Sequence, residues 1–454
     1  MRITVVGGGK VGHTLAQSLS QEEHDVVLVD RDEEVLQRSE DTLDVLCIHG
    51  NGADAKTLLS ARADRSDMLI ATAADDEINM LCCLVGKRLG AKYAIARIRD
   101  PEYNESLSIL QEELGIDMAI NPERITALEI SRLLRYPFAD GIEFFARGRV
   151  EMVGFHVHEN DLVVGCPLRT IAQKLRGIPR VLYCAVERED EVIIPGGDFV
   201  IAPGDRVHVA SDIETMTAFF RYLGRDTLRV KNVMLLGGGR ISYYLAKLIE
   251  PMGIHVSIVE IDGDKAEDLA RVLPEVNVIC GDGTDQDLLE QEGLCETDVF
   301  VALCNRDEEN LIMGLYALKA GVPKVIVKNS RVAFADMFGA MGLDSIISPK
   351  AITCDVILRY VRAHANSEGT AVEKLYRLMN GKAEALEFIA GAGMPYLGIP
   401  LKRLNKLEHA LIAAIVRGKK VIIPFGDDAI EAGDNVIVVV RESGISDLNE
   451  VIFP

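Results

Sequence analysis

The sequence predicts an α/β protein with two doubly wound parallel-sheet domains, each followed by a small α+β domain, through an internal duplication. Short, continuously apolar segments alternate with helical periodicity, which indicates parallel strands covered by helices on both faces. A strand, a glycine loop and a helix occur together twice, as TVVGGGKVGHTLAQSL from residue 4 and NVMLLGGGRISYYLAKLI from residue 232. The segments that follow recur in the same order, which is the pattern of a duplicated unit.

Six apolar segments of the first copy predict the strands of one sheet: ITVVG, DVVLVD, VLCIHG, MLIATA, YAIARI and MAIN. Six such strands with helices between them fit the Rossmann-like doubly wound order. The stretch ERITALEISRLLRY after Pro122 predicts a further helix. Shorter strands with Pro-Gly and Gly-Asp turns then predict the small α+β domain.

The alignment of the two copies extends beyond the glycine loops. Gly7 aligns with Gly237 and Asp30 with Glu260, each 230 positions later. The segments HGNGAD, ADDEIN and NPERIT recur as CGDGTD, NRDEEN and SPKAIT, and GCPLRTIAQKL recurs as LGIPLKRLNKL. We therefore predict four domains, at residues 1–140, 141–226, 229–367 and 368–454.

The first glycine loop follows a predicted strand and opens a predicted helix, the context that a dinucleotide-binding loop requires. Gly7 permits the turn, Gly9 lets the backbone approach a pyrophosphate, and Gly12 lets helix and strand pack closely. The helix start offers N–H groups and partial positive charge to phosphates. Asp30, at the end of the second strand, matches the acid that binds an adenosine ribose and favours NAD over NADP. Arg31 weakens that preference or lies over the adenine.

The predicted nucleotide-binding residues lie at the carboxyl ends of the strands, where ligands of doubly wound sheets bind. In the first copy they are Gly7, Gly8, Gly9, Lys10, Val11, Gly12, Asp30, Arg31, Asn51, Thr72, Ala73 and Arg97, and in the second Gly237, Gly238, Gly239, Arg240, Ile241, Glu260 and Asp282. Ser242 replaces the third glycine in the second copy. We expect its side chain to press on the helix–strand contact, so the second site binds more weakly or differently.

Composition limits the partners. With 70 acidic and 49 basic residues the net charge is −21, which argues against nucleic acid, because phosphate binding needs a basic surface. An acidic chain suits the Lys- and Arg-rich cytoplasmic loops of membrane proteins. The N-terminus lacks a signal-peptide pattern, no apolar segment is long enough to span a bilayer, and the nine cysteines form no CxxC pair, so we expect reduced thiols in the cytoplasm.

No catalytic or metal-binding constellation emerges from the sequence. His156 and His158 alternate on one strand face but are too few for a metal site, and we interpret them as surface residues. His13 lies near the pocket by position. A duplicated binding site without catalytic residues indicates a sensor, in which the bound ligand changes the orientation of the two Rossmann units. The alternatives are an NAD-dependent oxidoreductase and a scaffold whose sheet domains only dimerise.

The doubled set of motifs resembles the regulator-of-potassium-conductance (RCK) domains, in the tandem arrangement of the peripheral NAD-binding subunits of Trk potassium uptake systems. GGGKVG, HGNGAD, ATAADDEIN and the GCPL…PGGD…PGD segment carry the resemblance, which covers nearly the whole chain. It implies a protein on the cytoplasmic face of the inner membrane, beneath a potassium-translocating subunit. It also implies binding of NAD or NADH, with relatives that bind ATP or ADP, and a ring of eight Rossmann units from four chains. Glu123 would reach a ligand or neighbouring unit, and Lys350 occupies its position in the second copy.

Overall fold

The computed structural model describes most of the chain. The described residues are 1–103, 106–134, 136, 138–171, 175, 177–189, 191–225, 230–330, 338, 341–343, 345–365, 372–406, 409–441, 444–445 and 447–453. None of the described helices is both long and apolar enough to cross a membrane.

The first α/β domain contains the six predicted strands, in the order β3-β2-β1-β4-β5-β6, which confirms the predicted doubly wound sheet. The strands are β1 (Arg2–Val6), β2 (Asp25–Asp30), β3 (Leu46–His49), β4 (Met68–Ala71), β5 (Tyr93–Arg97) and β6 (Met118–Ile120). The helices are α1 (Lys10–Gln21), α2 (Glu33–Glu40), α3 (Ala55–Ser60), α4 (Asp76–Leu89), α5 (Leu107–Leu114) and α6 (Pro122–Leu133). The central strands are fully buried because helices cover both faces of the sheet.

The described part of the first small domain is an antiparallel sheet followed by a ten-residue helix. Its strands are β7 (Ala139–Phe145), β8 (Val150–His156), β9 (Leu182–Arg188), β10 (Glu191–Ile193) and β11 (Arg206–Asp212), in the order β10-β9-β11-β8-β7. Helix α7 (Ile213–Tyr222) follows directly, and the Asp212 carboxylate caps it by accepting a hydrogen bond from the Thr215 N–H. Phe219 and Phe220 of this helix are buried against the domain.

The second α/β domain repeats the first, with the sheet order β14-β13-β12-β15-β16-β17. Its strands are β12 (Asn232–Leu236), β13 (His255–Glu260), β14 (Asn277–Cys280), β15 (Val299–Ala302), β16 (Lys324–Lys328) and β17 (Ser345–Ile347). Its helices are α8 (Arg240–Ile249), α9 (Gly263–Val272), α10 (Gln286–Gln291), α11 (Asp307–Lys319) and α12 (Pro349–Ala365). Helix starts recur too, because Asp32 caps α2 and Asp262 caps α9 through backbone N–H groups.

The second small domain has strands β18 (Val372–Leu378), β19 (Ala383–Ile389), β20 (Asn405–Lys406), β21 (Ala410–Arg417), β22 (Lys420–Ile422), β23 (Asn435–Val440) and β24 (Ile452–Phe453), with helix α13 (Leu448–Val451). Five of these strands form one sheet in the order β18-β19-β23-β21-β22. The two small domains share a hydrophobic core that includes Phe145 and Val150 of the first and Ala385 and Val439 of the second. The duplicated modules therefore pack against each other.

The chain forms two compact units that do not follow the two sequence copies. The first unit joins Met1–Leu128 to Asn329–Val332 and Ile347–Val361. Most of α12, although it belongs to the second copy in sequence, therefore packs with the first α/β domain. Its Ile357 and Leu358 are fully buried in one hydrophobic cluster with Ile3 and Val5 of β1. Amphipathic periodicity predicts that a helix covers a sheet, but not which of two similar sheets it covers.

Candidate functional site

The first glycine loop approaches the end of β4 so closely that only glycine fits at two of its positions. Gly7 has φ +96°, and a Cβ atom there would lie 2.7 Å from the Ala73 nitrogen. A Cβ on Gly12 would lie 1.8 Å from the Gly7 carbonyl oxygen. Helix α1 begins immediately afterwards. Its N-cap residue is Gly9, which has no side chain to cap the helix start. The loop thus presents backbone and a helix start, the features that recognise phosphates.

The two predicted ribose-binding acids occupy equivalent positions and hold their glycine loops in the same way. Asp30 accepts hydrogen bonds from the Gly8 N–H (2.5 Å) and the Asp32 N–H (2.9 Å). Glu260 accepts from the Gly238 N–H (2.7 Å) and the Asp262 N–H (2.9 Å). The longer glutamate reproduces the geometry of the aspartate. Each acid therefore lies beside its glycine loop, the position that ribose recognition requires.

Ser242 fits in the second copy because neighbouring positions differ as well. In the first copy the Thr72 hydroxyl donates to the carbonyl oxygens of Val6 (3.2 Å) and Gly7 (3.1 Å). In the second copy the aligned residue is Leu303, and the Ser242 hydroxyl donates to the Gly237 carbonyl oxygen instead. One hydroxyl group thus satisfies the loop carbonyl in each copy.

The second loop also lies farther from the neighbouring strand. A Cβ on Gly237 would be 3.2 Å from the Cys304 nitrogen, compared with 2.7 Å between a Cβ on Gly7 and the Ala73 nitrogen. The extra space relieves the pressure expected from the serine side chain. The Cys304 thiol beside this loop is half-buried, and burial raises its pKa to about 11, so the thiol stays protonated and is a poor nucleophile.

Two buried asparagines that the sequence analysis did not single out hold the loops after β4 and β15 in equivalent ways. The Asn79 side chain accepts a hydrogen bond from the Ala73 N–H (2.7 Å) and donates to the carbonyls of Ala73 (3.1 Å) and Arg97 (2.9 Å). Asn310 makes the equivalent three bonds to Cys304 and Lys328. The recurrence of ADDEIN as NRDEEN contained this signal, because both segments end at the asparagine.

The remaining predicted residues lie at or just beyond the carboxyl ends of the strands and at the helix starts, and they differ in exposure. Arg97 donates to the Ala73 carbonyl (2.5 Å), and Asn51 accepts from the Ala53 N–H (3.1 Å). Hydrogen bonds from Thr284 hold the pKa of the exposed Asp282 carboxyl below its usual range. The solvent-exposed members of the predicted set are Gly9, Lys10, Arg31, Gly239, Arg240 and Asp282, and Val11 is half-buried and Ile241 buried. Arg97 and Asn51 therefore make hydrogen bonds to loop backbone in this structure.

The histidines of the small domain do not form a metal site in the described part of the chain. His156 lies 3.7 Å from the Asp140 carboxylate, and the His158 side chain is 73% exposed. No group of three or more His, Cys, Asp or Glu side chains among the described residues could hold a metal ion.

Thr72, predicted to contact a ligand, directs its hydroxyl to the backbone of the glycine loop.

Comparison with known proteins gives a consistent assignment over the whole chain. The TrkA-N domain model matches residues 3–122 and 233–349, and the TrkA-C domain model matches residues 152–224 and 386–452. The chain is 33% identical over 458 residues to the "Trk system potassium uptake protein TrkA homolog 1" of Methanosarcina mazei, with 99% of each chain covered.

Two solved structures show the same fold. The crystal structure of the GsuK RCK domain has a TM-score of 0.63 and 17% identity, with 96% of this chain and 92% of that chain covered. The GsuK channel bound to NAD also has a TM-score of 0.63 and 17% identity, with 97% of this chain and 76% of that chain covered. Both likenesses support the duplicated Rossmann-like architecture.

Proposed function

This chain belongs to the TrkA family, and on that premise we propose that it is the nucleotide-sensing regulatory subunit of a Trk-type potassium uptake system. The observation that carries the proposal is the pair of equivalent glycine loops, each bonded to an acid at the end of the second strand. Similarity over 99% of the chain to a Trk system potassium uptake protein supports a role in potassium transport. The geometry of the glycine loop and the acid supports nucleotide binding, because it suits an adenosine diphosphate group.

The ligand we propose is NAD or NADH, with ATP or ADP as further candidates. Asp30 favours a free ribose hydroxyl over a 2′-phosphate. A channel of the same fold has been solved bound to NAD, which supports the dinucleotide. In the second copy Ile261 replaces Arg31 and Asp282 replaces Asn51, so the second pocket is more acidic at its adenosine end. We propose that the two sites of one chain differ in ligand preference.

We propose that nucleotide exchange changes the arrangement of the paired Rossmann units and thereby gates potassium flux through a membrane partner. A ligand shifts such an equilibrium only by its differential affinity for the two arrangements, and coupling of about 1–3 kcal/mol is ordinary. The resemblance to RCK domains supports a ring of eight units from four chains at the cytoplasmic membrane face. The net charge of −21 supports docking against Lys- and Arg-rich cytoplasmic loops.

An oxidoreductase is the competing function, and we propose that the chain is not an enzyme. Hydride transfer needs an acid or base beside the nicotinamide. His13, the histidine nearest the first loop, has its Nδ1 3.0 Å from the Ser39 hydroxyl on the side of α2. Incubation with NADH and candidate carbonyl compounds distinguishes the two functions: steady, substrate-dependent loss of NADH absorbance would establish the enzyme.

Calorimetric titration of the full chain with NAD, NADH, ADP and ATP tests the binding step. We expect binding without turnover at two sites per chain. Asp30→Ala removes the proposed ribose acceptor, the bond from the Gly8 N–H that holds the first loop and the bond from the Asp32 N–H, so affinity at one site should fall by about 1–3 kcal/mol. Glu260→Ala is the matched variant for the other site. If neither variant changes affinity for any nucleotide, the proposed pocket is wrong.

A further inference from the structure

The loops that follow β3 and β14 begin directly beside the two acids. Gly50 donates its N–H to the Asp30 carbonyl oxygen (2.8 Å), and Gly281 donates to the Glu260 carbonyl oxygen (2.9 Å). A dinucleotide on a doubly wound sheet has its phosphates at the glycine loop after the first strand and its ribose at the acid after the second. Because neighbouring strands are about 4.8 Å apart, the base lies farther along the same edge, towards the loop after the third strand.

Each of these loops is held against the first strand of its own sheet. A Cβ atom on Gly52 would lie 2.1 Å from the Val6 Cγ1 atom, and one on Gly283 would lie 1.8 Å from the Leu236 Cδ1 atom. Only glycine permits so close an approach, so each loop returns from the outer strand towards the strand that leads into the glycine loop. The residue immediately before each of these glycines is thereby placed at the edge where a base would lie.

Those two residues, Asn51 and Asp282, make the same turn but present opposite hydrogen-bonding groups. The Asn51 Oδ1 atom accepts from the Ala53 N–H (3.1 Å), and the Asp282 Oδ1 atom accepts from the Thr284 N–H (2.9 Å) and hydroxyl (2.8 Å). Within the described part of the chain, neither side chain makes a further hydrogen bond. The Asn51 amide nitrogen therefore remains a donor, whereas the Asp282 Oδ2 atom is an acceptor only.

The residue that follows each acid differs as well. Arg31 follows Asp30 and is exposed, and Ile261 follows Glu260 with 68% of its surface exposed. Either side chain can cover the flat face of a purine, Arg31 by a cation–π contact and Ile261 by removing apolar surface from water. The two sites can therefore both hold the face of a base, and they differ most in what they offer to its polar edge.

We propose that Asp282 makes the second site selective for adenine, by accepting a hydrogen bond from its exocyclic amino group, and that Asn51 leaves the first site tolerant of other purines. The proposal deepens the proposed function and rests on it, because it concerns the base of the same nucleotides. Selectivity of this kind would let the two sites of one chain respond to different members of the nucleotide pool.

The chemistry of the purine edge decides the selectivity. Adenine carries an amino donor where hypoxanthine carries a carbonyl oxygen. The Asn51 amide can donate either to a ring nitrogen of adenine or to the carbonyl of hypoxanthine, but the Asp282 carboxylate would face that carbonyl with no proton between them. To reach the ring N–H of hypoxanthine instead, the base would have to shift while its ribose stays bound to Glu260.

The test is calorimetric titration of the full chain with ADP and with IDP, the diphosphate that has hypoxanthine as its base. Glu260→Ala weakens the second site so that the first is measured, and Asp30→Ala does the reverse. The quantity compared is the ratio of the IDP to the ADP dissociation constant at each site, in which the equal charges of the two ligands cancel. We expect a ratio of about 10 or more at the second site and of less than about 3 at the first.

Reciprocal exchange of the two residues separates base recognition from other differences between the sites. Asp282→Asn should lower the second-site ratio to less than about 3, and Asn51→Asp should raise the first-site ratio to about 10. Asp285→Asn is the control, because it removes a negative charge from the same loop while asparagine also caps the start of α10, where Asp285 accepts two backbone N–H bonds. The control should leave the second-site ratio unchanged.

Equal ratios at the two sites would overturn the proposal, as would exchange variants that bind ADP and keep the original ratios. Either result leaves the proposed function standing, because nucleotides still bind. Binding confined to the first site would likewise contradict an adenine-selective second site. If the wild-type chain binds neither ADP nor NAD, the proposed function fails, and the base selectivity fails with it.

Discussion

Gly12→Ala tests the requirement for close helix–loop contact at the first site. The added Cβ would lie 1.8 Å from the Gly7 carbonyl oxygen and 2.8 Å from the Thr72 hydroxyl. To restore ordinary contact, α1 and the loop must separate by more than about 1 Å, a distortion that typically costs about 1–3 kcal/mol. Because the same backbone carries the N–H groups that we propose bind phosphate, we expect nucleotide affinity at the first site to fall about 10- to 100-fold.

Ser242→Ala provides the matched control, because it places the same residue at the aligned position of the second copy. It removes only the hydrogen bond from the Ser242 hydroxyl to the Gly237 carbonyl, which contributes about 1 kcal/mol. The assay is two-site calorimetry, with urea unfolding to compare stability. Wild-type affinity at both sites in Gly12→Ala would refute the argument that the third glycine is required by contact with the loop.

Two further predictions concern buried polar groups. Asn79→Asp keeps the acceptor for the Ala73 N–H but replaces the amide nitrogen, which donates both other bonds, by an oxygen that faces the two carbonyls. Unfolding in urea should therefore show a loss of about 2–4 kcal/mol, and a wild-type midpoint would contradict the assigned hydrogen bonds. Burial lowers the pKa of His208 to about 3, so below about pH 6.5 the unfolded chain takes up a proton that the folded chain does not. The free energy of unfolding should therefore fall as the pH drops below about 6.5, by up to about 1.4 kcal/mol per pH unit. His208→Leu should flatten that slope when unfolding is measured as a function of pH.

The architecture was predictable because its signals are local. Each motif depends on residues close in sequence: the continuous apolar strands, the glycine turn of Gly7 and the acid at position 30. Because the unit is duplicated, each of these motifs occurs twice. The six strands of the first sheet and their doubly wound order were predicted, and both are confirmed. The positions of Asp30 and Glu260 beside their loops follow from the length of the intervening helix and strand.

The features that were not predicted depend on contacts between distant segments. From the sequence alone, Ser242 in place of a glycine predicts a weaker helix–strand contact. The structure shows a compensating change, because Leu303 in place of Thr72 removes one hydroxyl group where Ser242 adds another. The roles of Asn79 and Asn310 depend on loops brought together by strand pairing. The association of α12 with the first α/β domain depends on a choice between two similar sheets, and this choice places Lys350 beside the first glycine loop.

Potassium flux tests the central claim most directly. A Trk-type membrane subunit would be reconstituted with this chain, and flux measured with and without NAD, NADH, ADP and ATP, for the wild type and for the double variant Asp30→Ala, Glu260→Ala. Coupling of about 1–3 kcal/mol predicts that at least one nucleotide changes wild-type flux about 5-fold or more, and that the double variant, assembled to the same extent, does not respond. Identical flux with and without every nucleotide, in a complex shown to be intact, would contradict the proposal that this chain is a nucleotide-operated regulator.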